Sequence, residues 1–192
     1  MSDLLRRLEA MTEQHLEAVA RLRSLLPEVA AAAERLARCL GQGGRVFSCG
    51  NGGSAADAQH LAAELVGRFG VDRRALPAMS LSTDTSALTA IANDYGYDQV
   101  FARQLEALAR PGDTLVVIST SGRSANVVEA VRVVKERGVA TLGLLGRDGG
   151  TPAPLVDVAV IAACDETARI QECHILIGHL LCAAIEAQIT GG

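Results

Sequence analysis

The sequence lacks the features that mark nucleic-acid-binding, secreted and membrane-spanning proteins. Its 18 lysines and arginines occur in no run longer than two, and the formal net charge is -4. An acidic balance of this kind argues against non-specific binding to nucleic acid. The N-terminal stretch MSDLLRRLEAMTEQH is charged throughout, unlike a signal peptide. No uninterrupted apolar stretch reaches the roughly 18 residues of a membrane span. We therefore expect a cytoplasmic protein that binds neither nucleic acid nor membranes.

The chain also lacks the cysteine spacing of a disulfide framework or a zinc–sulfur site. Its cysteines are odd in number and include no Cys-x-x-Cys pair. The five are Cys39, Cys49, Cys164, Cys173 and Cys182. This usage predicts reduced thiols in a cytosolic protein.

Apolar residues recur at helical spacing over residues 3–40, and Pro27 divides the stretch into two predicted helices. Their apolar faces suit either packing on the same subunit or a subunit interface. For the interface, the residues expected to face a partner are Leu4, Leu8, Leu16 and Leu22.

Apolar runs alternate with helical patterns from Gly44 onward. The predicted strands are 45–49, 77–82, 114–119, 139–145 and 156–162, and the predicted helices are 54–68, 85–92, 98–109, 124–137 and 168–189. The strands lack polar alternation, which is typical of a parallel sheet covered on both faces. The fold class is therefore α/β: a three-layer α/β/α doubly wound domain with a five-stranded parallel sheet. We expect one domain over 1–192, with N-terminal helices over 1–40 and the α/β body over 41–192.

The segment VFSCGNGGSAADAQHLAAE, residues 46–64, predicts a strand, a glycine-rich turn and a helix. Unpaired backbone N–H groups and the helix dipole make such a turn an anion site. His60 and Glu64 follow four residues apart on one helix face, which Asp57 shares. The combination of an anion cradle with an imidazole and a carboxylate indicates chemistry on a small phosphorylated molecule.

Two nucleotide-binding alternatives fit this loop poorly. The run from Gly50 to Ala55 matches the dinucleotide fingerprint G-x-G-x-x-A. That fingerprint needs a ribose-binding carboxylate about 20 residues on, at the end of the next strand. Here the next strand ends near Ser82, and Asp84 lies 34 residues past Gly50. A P-loop is excluded because no Gly-Lys-Ser/Thr follows the glycines.

A second loop, Ser119-Thr120-Ser121-Gly122-Arg123-Ser124, lies between a predicted strand and a predicted helix. One hydroxyl is enough to cap a helix, and this loop carries four. Hydroxyl donors together with free backbone N–H groups can hold a phosphate dianion without a lysine. The loop is therefore the predicted phosphate site.

The last predicted helix carries Gln171, His174 and His179 among apolar residues. Polar groups in such a buried helix need partners. We interpret His174 as a satisfied core residue. A role for His179 depends on the resemblance that follows.

Five motifs in order resemble the phosphoheptose isomerases of the sugar isomerase (SIS) fold family. They are CGNGGS, D-A-x-H-x-x-x-E-L-x-G-R, ANDYGYD, STSGxSAN and RIQExHxxxxH, and they span nearly the whole chain. The resemblance implies the conversion of sedoheptulose 7-phosphate to a manno-heptose 7-phosphate, a precursor of activated heptose for surface glycans. It also implies a homotetramer with active sites between subunits and one zinc ion per subunit.

By motif position, the resemblance also assigns residues. The metal ligands would be His60, Glu64, Gln171 and His179, with Glu64 and His179 as the catalytic pair. The substrate contacts would be Asn51, Gly52, Gly53, Ser54, Glu64, Asn93, Asp94, Ser119, Thr120, Ser121, Ser124 and Gln171. Two departures concern substrate choice: Arg123 replaces an Asn often found in the phosphate loop, and Ala168 stands where some members carry an acid.

One geometric question stays open at this stage. Gln171 and His179 are eight residues apart, roughly 12 Å along a straight helix. A shared metal would need their side chains to converge, or two subunits to contribute.

Two other functions remain as alternatives. One relative of the same fold family binds the bacterial replication initiator and is no isomerase. It has a small residue in place of the helix glutamate and lacks the last histidine, whereas this chain has Glu64 and His179. The other alternative is an isomerase of a different phosphosugar.

Overall fold

The structure is a computed structural model and describes residues 2–191. The helices are α1 (Asp3–Arg21), α2 (Leu26–Gly41), α3 (Gly53–Val66), α4 (Thr85–Tyr95), α5 (Ala102–Leu108), α6 (Ala125–Lys135) and α7 (Thr167–Thr190). The strands are β1 (Val46–Gly50), β2 (Ala78–Ser80), β3 (Thr114–Ser119), β4 (Ala140–Gly146) and β5 (Val158–Ala162). Two short 3-10 helices cover Leu22–Leu25 and Tyr97–Gln99.

The five strands form one parallel sheet in the order β2-β1-β3-β4-β5. Each face of the sheet has its own apolar core. Alternate residues of β3 serve the two cores, since Val116 packs with α2, α3 and α7 while Leu115 packs with α5 and α6. The predicted three-layer α/β/α fold is therefore confirmed.

The neighbouring strands β1 and β3 send their following helices to opposite faces of the sheet. Helix α3, after β1, lies in the core that contains α2 and α7. Helix α6, after β3, lies in the core on the other side. A crevice opens at the carboxyl ends of two strands connected in this way, and doubly wound folds bind ligands there.

The N-terminal segment forms two helices, as predicted, with Pro27 in the first turn of α2. Each helix packs mainly on α7. Leu4, Leu8 and Leu16 of α1 are exposed. The expectation that Leu22 faces a partner was wrong, because Leu22 is buried in the core of its own chain.

The predicted helix over 98–109 was too long. In the structure, the 3-10 helix Tyr97–Gln99 precedes α5, and the buried Val100 and Phe101 lie between the two. The predicted strand 77–82 narrows to Ala78–Ser80 because this strand pairs on one side only, with β1. These differences leave the order of elements unchanged.

All five cysteines are unpaired. Four of them are buried, and Cys164 is half-buried. Burial raises the pKa of Cys173 to about 11 and that of Cys182 to about 12. Burial also raises the pKa of the Cys39 and Cys49 thiols. These thiols therefore behave as core side chains.

Helix α7 is long and apolar enough to cross a membrane, judged by length and composition alone. Its apolar residues Ile170, Ile177, Leu181 and Ile185 are buried in the core that α7 shares with α2 and α3. Core helices of folded domains pass the same test. We therefore assign the apolar character of α7 to packing within the α/β body.

Candidate functional site

A tight turn joins β1 to α3 at the carboxyl edge of the sheet. Gly52 has a φ of 55°, which favours glycine. A Cβ on Gly50 would lie 2.7 Å from the Ser54 carbonyl oxygen and 2.8 Å from that of Ile118. Glycine at position 50 therefore lets α3 begin directly beside β3. Of the predicted contacts, Asn51 and Gly52 form this turn, and Gly53 and Ser54 begin α3.

Two turns deeper along α3, three predicted residues come together. His60 Nε2 lies 3.0 Å from Nε2 of His179 and 3.5 Å from Oε1 of Glu64. The two imidazole rings meet edge to face, with centroids 5.2 Å apart. The His60 side chain is 43% exposed and that of Glu64 is 23% exposed. The cluster is thus open to a small ligand in the single chain.

Asp57 shares this helix face, as predicted, but has different surroundings. Its Oδ2 atom is buried and has no hydrogen-bond partner within residues 2–191. Burial raises the pKa of the Asp57 carboxyl, and the nearby His60 opposes that rise. Asp57 therefore lies near His60, with one buried oxygen that no described residue binds.

Helices α3 and α7 run parallel, which determines where Gln171 lies. The Gln171 amide packs so closely on Gly53 that a Cβ there would overlap it, while His179 meets His60. In the part of the chain described, Gln171 makes no hydrogen bond to the other three predicted ligands. One subunit therefore brings His60, Glu64 and His179 together and places Gln171 at the first turn of α3.

The clustered side chains suit a zinc ion by chemistry, since imidazole nitrogen and carboxylate oxygen are both zinc ligands. Ligand atoms at about 2.0–2.1 Å in a tetrahedral shell lie about 3.3 Å apart. The separations of 3.0 Å and 3.5 Å from His60 Nε2 bracket that value. Among residues 2–191, no group of three or more His, Cys, Asp or Glu side chains forms a preformed metal centre. The donor types therefore match zinc, while the described residues hold no group already arranged to bind it.

The predicted phosphate loop connects β3 to α6. Two of its hydroxyls shape the loop, since Ser119 Oγ accepts from the Gly122 N–H at 3.1 Å and Ser121 Oγ accepts from the Arg123 N–H at 3.2 Å. Ser124 lies at the N-cap of α6, and its side chain makes no capping hydrogen bond. The Ser124 hydroxyl and the helix N-terminus are thereby left to hold an anion.

A pair of asparagines joins the two loops across the crevice. Asn51 and Asn126 exchange two amide hydrogen bonds, each 2.9 Å long. The Tyr97 hydroxyl donates to Asn51 Oδ1 at 3.1 Å. Asn126 and Tyr97 were missed at the level of sequence as site residues, although both lie inside quoted motifs. Only their polar character inside those motifs could have indicated them.

Asn93 and Asp94 lie in the last turn of α4, and both are exposed. Asn93 Nδ2 donates to Asp94 Oδ1 at 2.8 Å. No hydrogen bond within residues 2–191 joins either residue to the glycine turn. Tyr97, three residues further on, makes that connection. Their predicted contact with substrate therefore stays a prediction.

His174 is buried, as predicted, but it is not satisfied. Neither ring nitrogen has a hydrogen-bond partner of good geometry within the described residues. Burial lowers the pKa of His174 to about 4, and an interaction with the Leu145 backbone only partly opposes this. His174 is therefore neutral in the folded protein at ordinary pH.

Comparison with known proteins places this geometry in a family. A family model described as SIS domain matches residues 2–146. The phosphoheptose isomerase of Geotalea daltonii is 59% identical over 167 residues, covering 87% of each chain. That of Aliarcobacter butzleri is 50% identical over 177 residues, covering 92% of this chain and 94% of the relative.

Solved structures show the same similarity. A phosphoheptose isomerase from Neisseria gonorrhoeae superimposes with a TM-score of 0.90 at 48% identity, covering 96% of this chain and 99% of the other. One from Francisella tularensis gives a TM-score of 0.92 at 36% identity, with coverage of 96% and 98%.

Proposed function

This chain belongs to the SIS domain family and, within it, to the phosphoheptose isomerases, and from this premise we propose that it converts sedoheptulose 7-phosphate to D-glycero-D-manno-heptose 7-phosphate. The chain is thus an intramolecular oxidoreductase, and its reaction is the first step of activated-heptose biosynthesis. The observation that carries the proposal is the crevice between β1 and β3. There, the Asn51–Asn126 bonds join the glycine turn, whose helix carries His60 and Glu64, to the helix that follows the hydroxyl-rich loop.

Isomerisation moves one proton between adjacent carbons through a cis-enediol. Glu64 takes the proton from C1 of the ketose and returns it to C2. His179 gives a proton to the carbonyl oxygen at C2 and accepts the hydroxyl proton at C1, so that the carbonyl moves to C1 and charge balances. Positioned acid–base groups of this kind contribute about 10²–10⁴-fold to rate.

The phosphate is held away from the reacting carbons. Ser119, Thr120, Ser121 and Ser124 would surround it at the N-terminus of α6, which favours an anion. Binding energy from this remote group orients the sugar over Glu64. The Asn51–Asn126 pair keeps the two loops at a fixed separation, which suits a substrate that contacts both.

Zinc is the metal that this donor set suits, and His60, Glu64 and His179 would hold it, with Gln171 as the predicted fourth ligand. When bound, the ion would polarise the substrate carbonyl. Each group has two atoms for these two tasks, since Glu64 has two carboxylate oxygens and His179 has two ring nitrogens. One atom of each would contact the metal, and the other would transfer the proton.

The assembly we propose is a cytoplasmic homotetramer with active sites between subunits. Two observations support it: the cluster is open in the single chain, and α1 exposes Leu4, Leu8 and Leu16. The heptose product would serve surface glycans such as lipopolysaccharide.

The test is proton exchange at C1 of sedoheptulose 7-phosphate, followed by NMR in deuterated water with zinc supplied. Exchange together with formation of the aldose supports the proposal. Faster turnover of a pentose or hexulose phosphate would instead assign another substrate. No exchange with any phosphosugar, together with capture of a replication initiator, would assign the regulatory role and overturn the proposal.

A further inference from the structure

A buried ion pair lies just beyond the helix that carries Glu64. Arg73 Nε is 3.1 Å from Glu186 Oε1, and the two side chains are only 3% and 7% exposed. Buried charges are costly unless they are both paired and hydrogen-bonded. The surroundings of these two charges therefore indicate what the pair holds in place.

Glu186, on α7, binds three consecutive backbone amides. Its carboxylate accepts from the N–H groups of Phe69, Gly70 and Val71 at 2.9, 2.8 and 3.1 Å. Burial alone would raise the pKa of Glu186, but these amides and Arg73 together lower it. The carboxylate thus stays charged and fixes the segment that follows α3.

Arg73 binds the other side of the same segment through backbone carbonyls. Its Nη2 donates to the carbonyl of Glu64 at 2.8 Å. Its Nη1 donates to the carbonyls of Leu65, Gly67 and Arg74 at 2.9, 3.0 and 3.0 Å. The ion pair therefore joins the C-terminal turn of α3 to α7.

The segment that Glu186 binds, residues 69–71, places Phe69 next to His179. The Phe69 ring lies 5.5 Å from the His179 imidazole, centroid to centroid, with the planes tilted by 37°. Phe69 is 36% exposed, so packing covers the residue only in part. Its backbone N–H is one of the amides that Glu186 binds.

We propose that Glu186 and Arg73 are positioning residues for the reaction, which hold Phe69 against His179 and fix the end of α3 that carries Glu64. The inference rests on the proposed isomerisation, in which Glu64 and His179 transfer protons. One ion pair controls both groups, through the Glu64 carbonyl and through the Phe69 ring. Both charged side chains are buried, so neither is open to the substrate.

The test compares Glu186→Gln, Phe69→Leu and the double variant, each with zinc supplied. Loss of partners that orient catalytic groups costs about 10- to 100-fold in activity. We expect each single variant to lower kcat by about 10-fold or more, with little change in KM. Because both act through the same ring, the double variant should be no slower than the slower single variant. Independent, multiplicative losses would overturn the proposal, as would an unchanged kcat in Phe69→Leu.

Asp113→Asn is the matched control. Asp113 is also buried, pairs with Arg45 at 2.8 Å and accepts from the backbone N–H groups of Arg45 and Arg110 at 2.8 and 2.9 Å. It lies at the opposite end of the sheet from the site, beside the first residue of β3. We expect both Asp113→Asn and Glu186→Gln to lower Tm. Only Glu186→Gln should also lower kcat. If Asp113→Asn and Glu186→Gln lowered kcat equally, Glu186 would affect activity only by stabilising the fold.

A second readout separates this inference from the proposed function. At constant pH, the ring current of Phe69 shifts the imidazole proton resonances of His179, and Phe69→Leu should move them. Glu186→Gln should move them in the same direction and speed amide hydrogen exchange at residues 69–71.

Unmoved resonances would overturn the inference even if the wild-type protein is active. An inactive wild-type protein with shifted resonances would overturn the function alone. Should Glu186→Gln fail to fold, Phe69→Leu gives both readouts.

Discussion

Two carboxylates on the same face of α3, Asp57 and Glu64, have different surroundings. Asp57 has a buried oxygen without a partner among residues 2–191, and burial raises the pKa of its carboxyl. Glu64 is part of the open cluster, 3.5 Å from His60 Nε2. A proton-transfer group must reach the substrate, which Glu64 can do and a buried oxygen cannot. Of the two carboxylates, Glu64 is therefore the one that we propose as the base.

Replacing Glu64 with Gln should therefore stop the reaction while preserving shape and binding. We expect kcat to fall at least about 100-fold, with phosphosugar binding retained. His179→Gln should do likewise, with some loss of metal. The readout is proton exchange at C1 by NMR, with Glu13→Gln on the exposed surface of α1 as the matched control. Wild-type exchange in Glu64→Gln would refute the assignment of the base.

Ser124 gives a test of the phosphate loop without a stability penalty. Since its hydroxyl makes no capping bond, Ser124→Ala should leave Tm nearly unchanged. Loss of a hydrogen bond to a charged group costs about 1.5–3 kcal/mol, so KM should rise by roughly tenfold or more. The effect should deepen in Ser121→Ala/Ser124→Ala. Unchanged kinetics in the double variant would remove these hydroxyls from the phosphate site.

At the scale of elements, α7 combines core packing with chemistry. It buries Ile170, Ile177 and Leu181, and it also carries His179 into the cluster and Glu186 into the ion pair. His174 also lies on α7, and within residues 2–191 neither of its ring nitrogens has a hydrogen-bond partner of good geometry. Burial of a neutral imidazole makes the stability of this helix sensitive to acid.

The pKa of His174 is about 4 when folded, below its ordinary 6.5. The unfolded chain thus binds the proton more readily, and stability is lost as pH falls from 6.5 towards 4. The loss attributable to this group is on the order of 3 kcal/mol. Urea unfolding of the wild type and of His174→Gln at pH 7 and pH 4.5 measures it. The difference between the two proteins should shrink or reverse at the lower pH, and a constant difference would contradict the assignment.

The positions of the helices and strands could be predicted well from the sequence. The hydrogen bonds between residues far apart in the sequence could not. Strand β3 was predicted at the observed residues, Thr114–Ser119, because a buried strand between turn residues has a clear apolar pattern. The Asn51–Asn126 bonds join residues 75 positions apart, and Glu186 binds amides 115 to 117 positions away. Periodicity identifies the face on which a residue lies but not which distant group it meets. The Tyr97–Asn51 hydrogen bond and the Arg73–Glu186 ion pair also join distant residues and were unpredictable for the same reason.

At the scale of the whole molecule, α1 has an apolar surface that its own chain does not cover. Only Ala18 of this helix is buried. Leu8 and Leu16 are 51% and 54% exposed, and Leu4 and Met11 are exposed beside them. Exposed apolar patches of this kind mark interaction sites in soluble proteins. A second copy of the chain is the occupant we propose.

Charging this surface should therefore break the assembly. In Leu8→Glu/Leu16→Glu we expect light scattering to give a species smaller than the tetramer, with the helical circular dichroism retained. Glu13→Lys, away from the apolar stripe, is the control and should leave the mass unchanged. A wild-type mass of 20.0 kDa at micromolar concentration would contradict both the tetramer and the shared site.

Because most of the cysteines are buried, the rate at which they are covalently labelled measures how fast the folded chain opens. Alkylating reagents attack the thiolate, so the raised pKa values and burial of Cys39, Cys49, Cys173 and Cys182 slow their modification in the native state. Half-buried Cys164 should take up the first adduct. Each later adduct, counted by intact mass, then reports that the chain has opened as far as that residue. Four natural labels thus time local and global unfolding without any engineered probe.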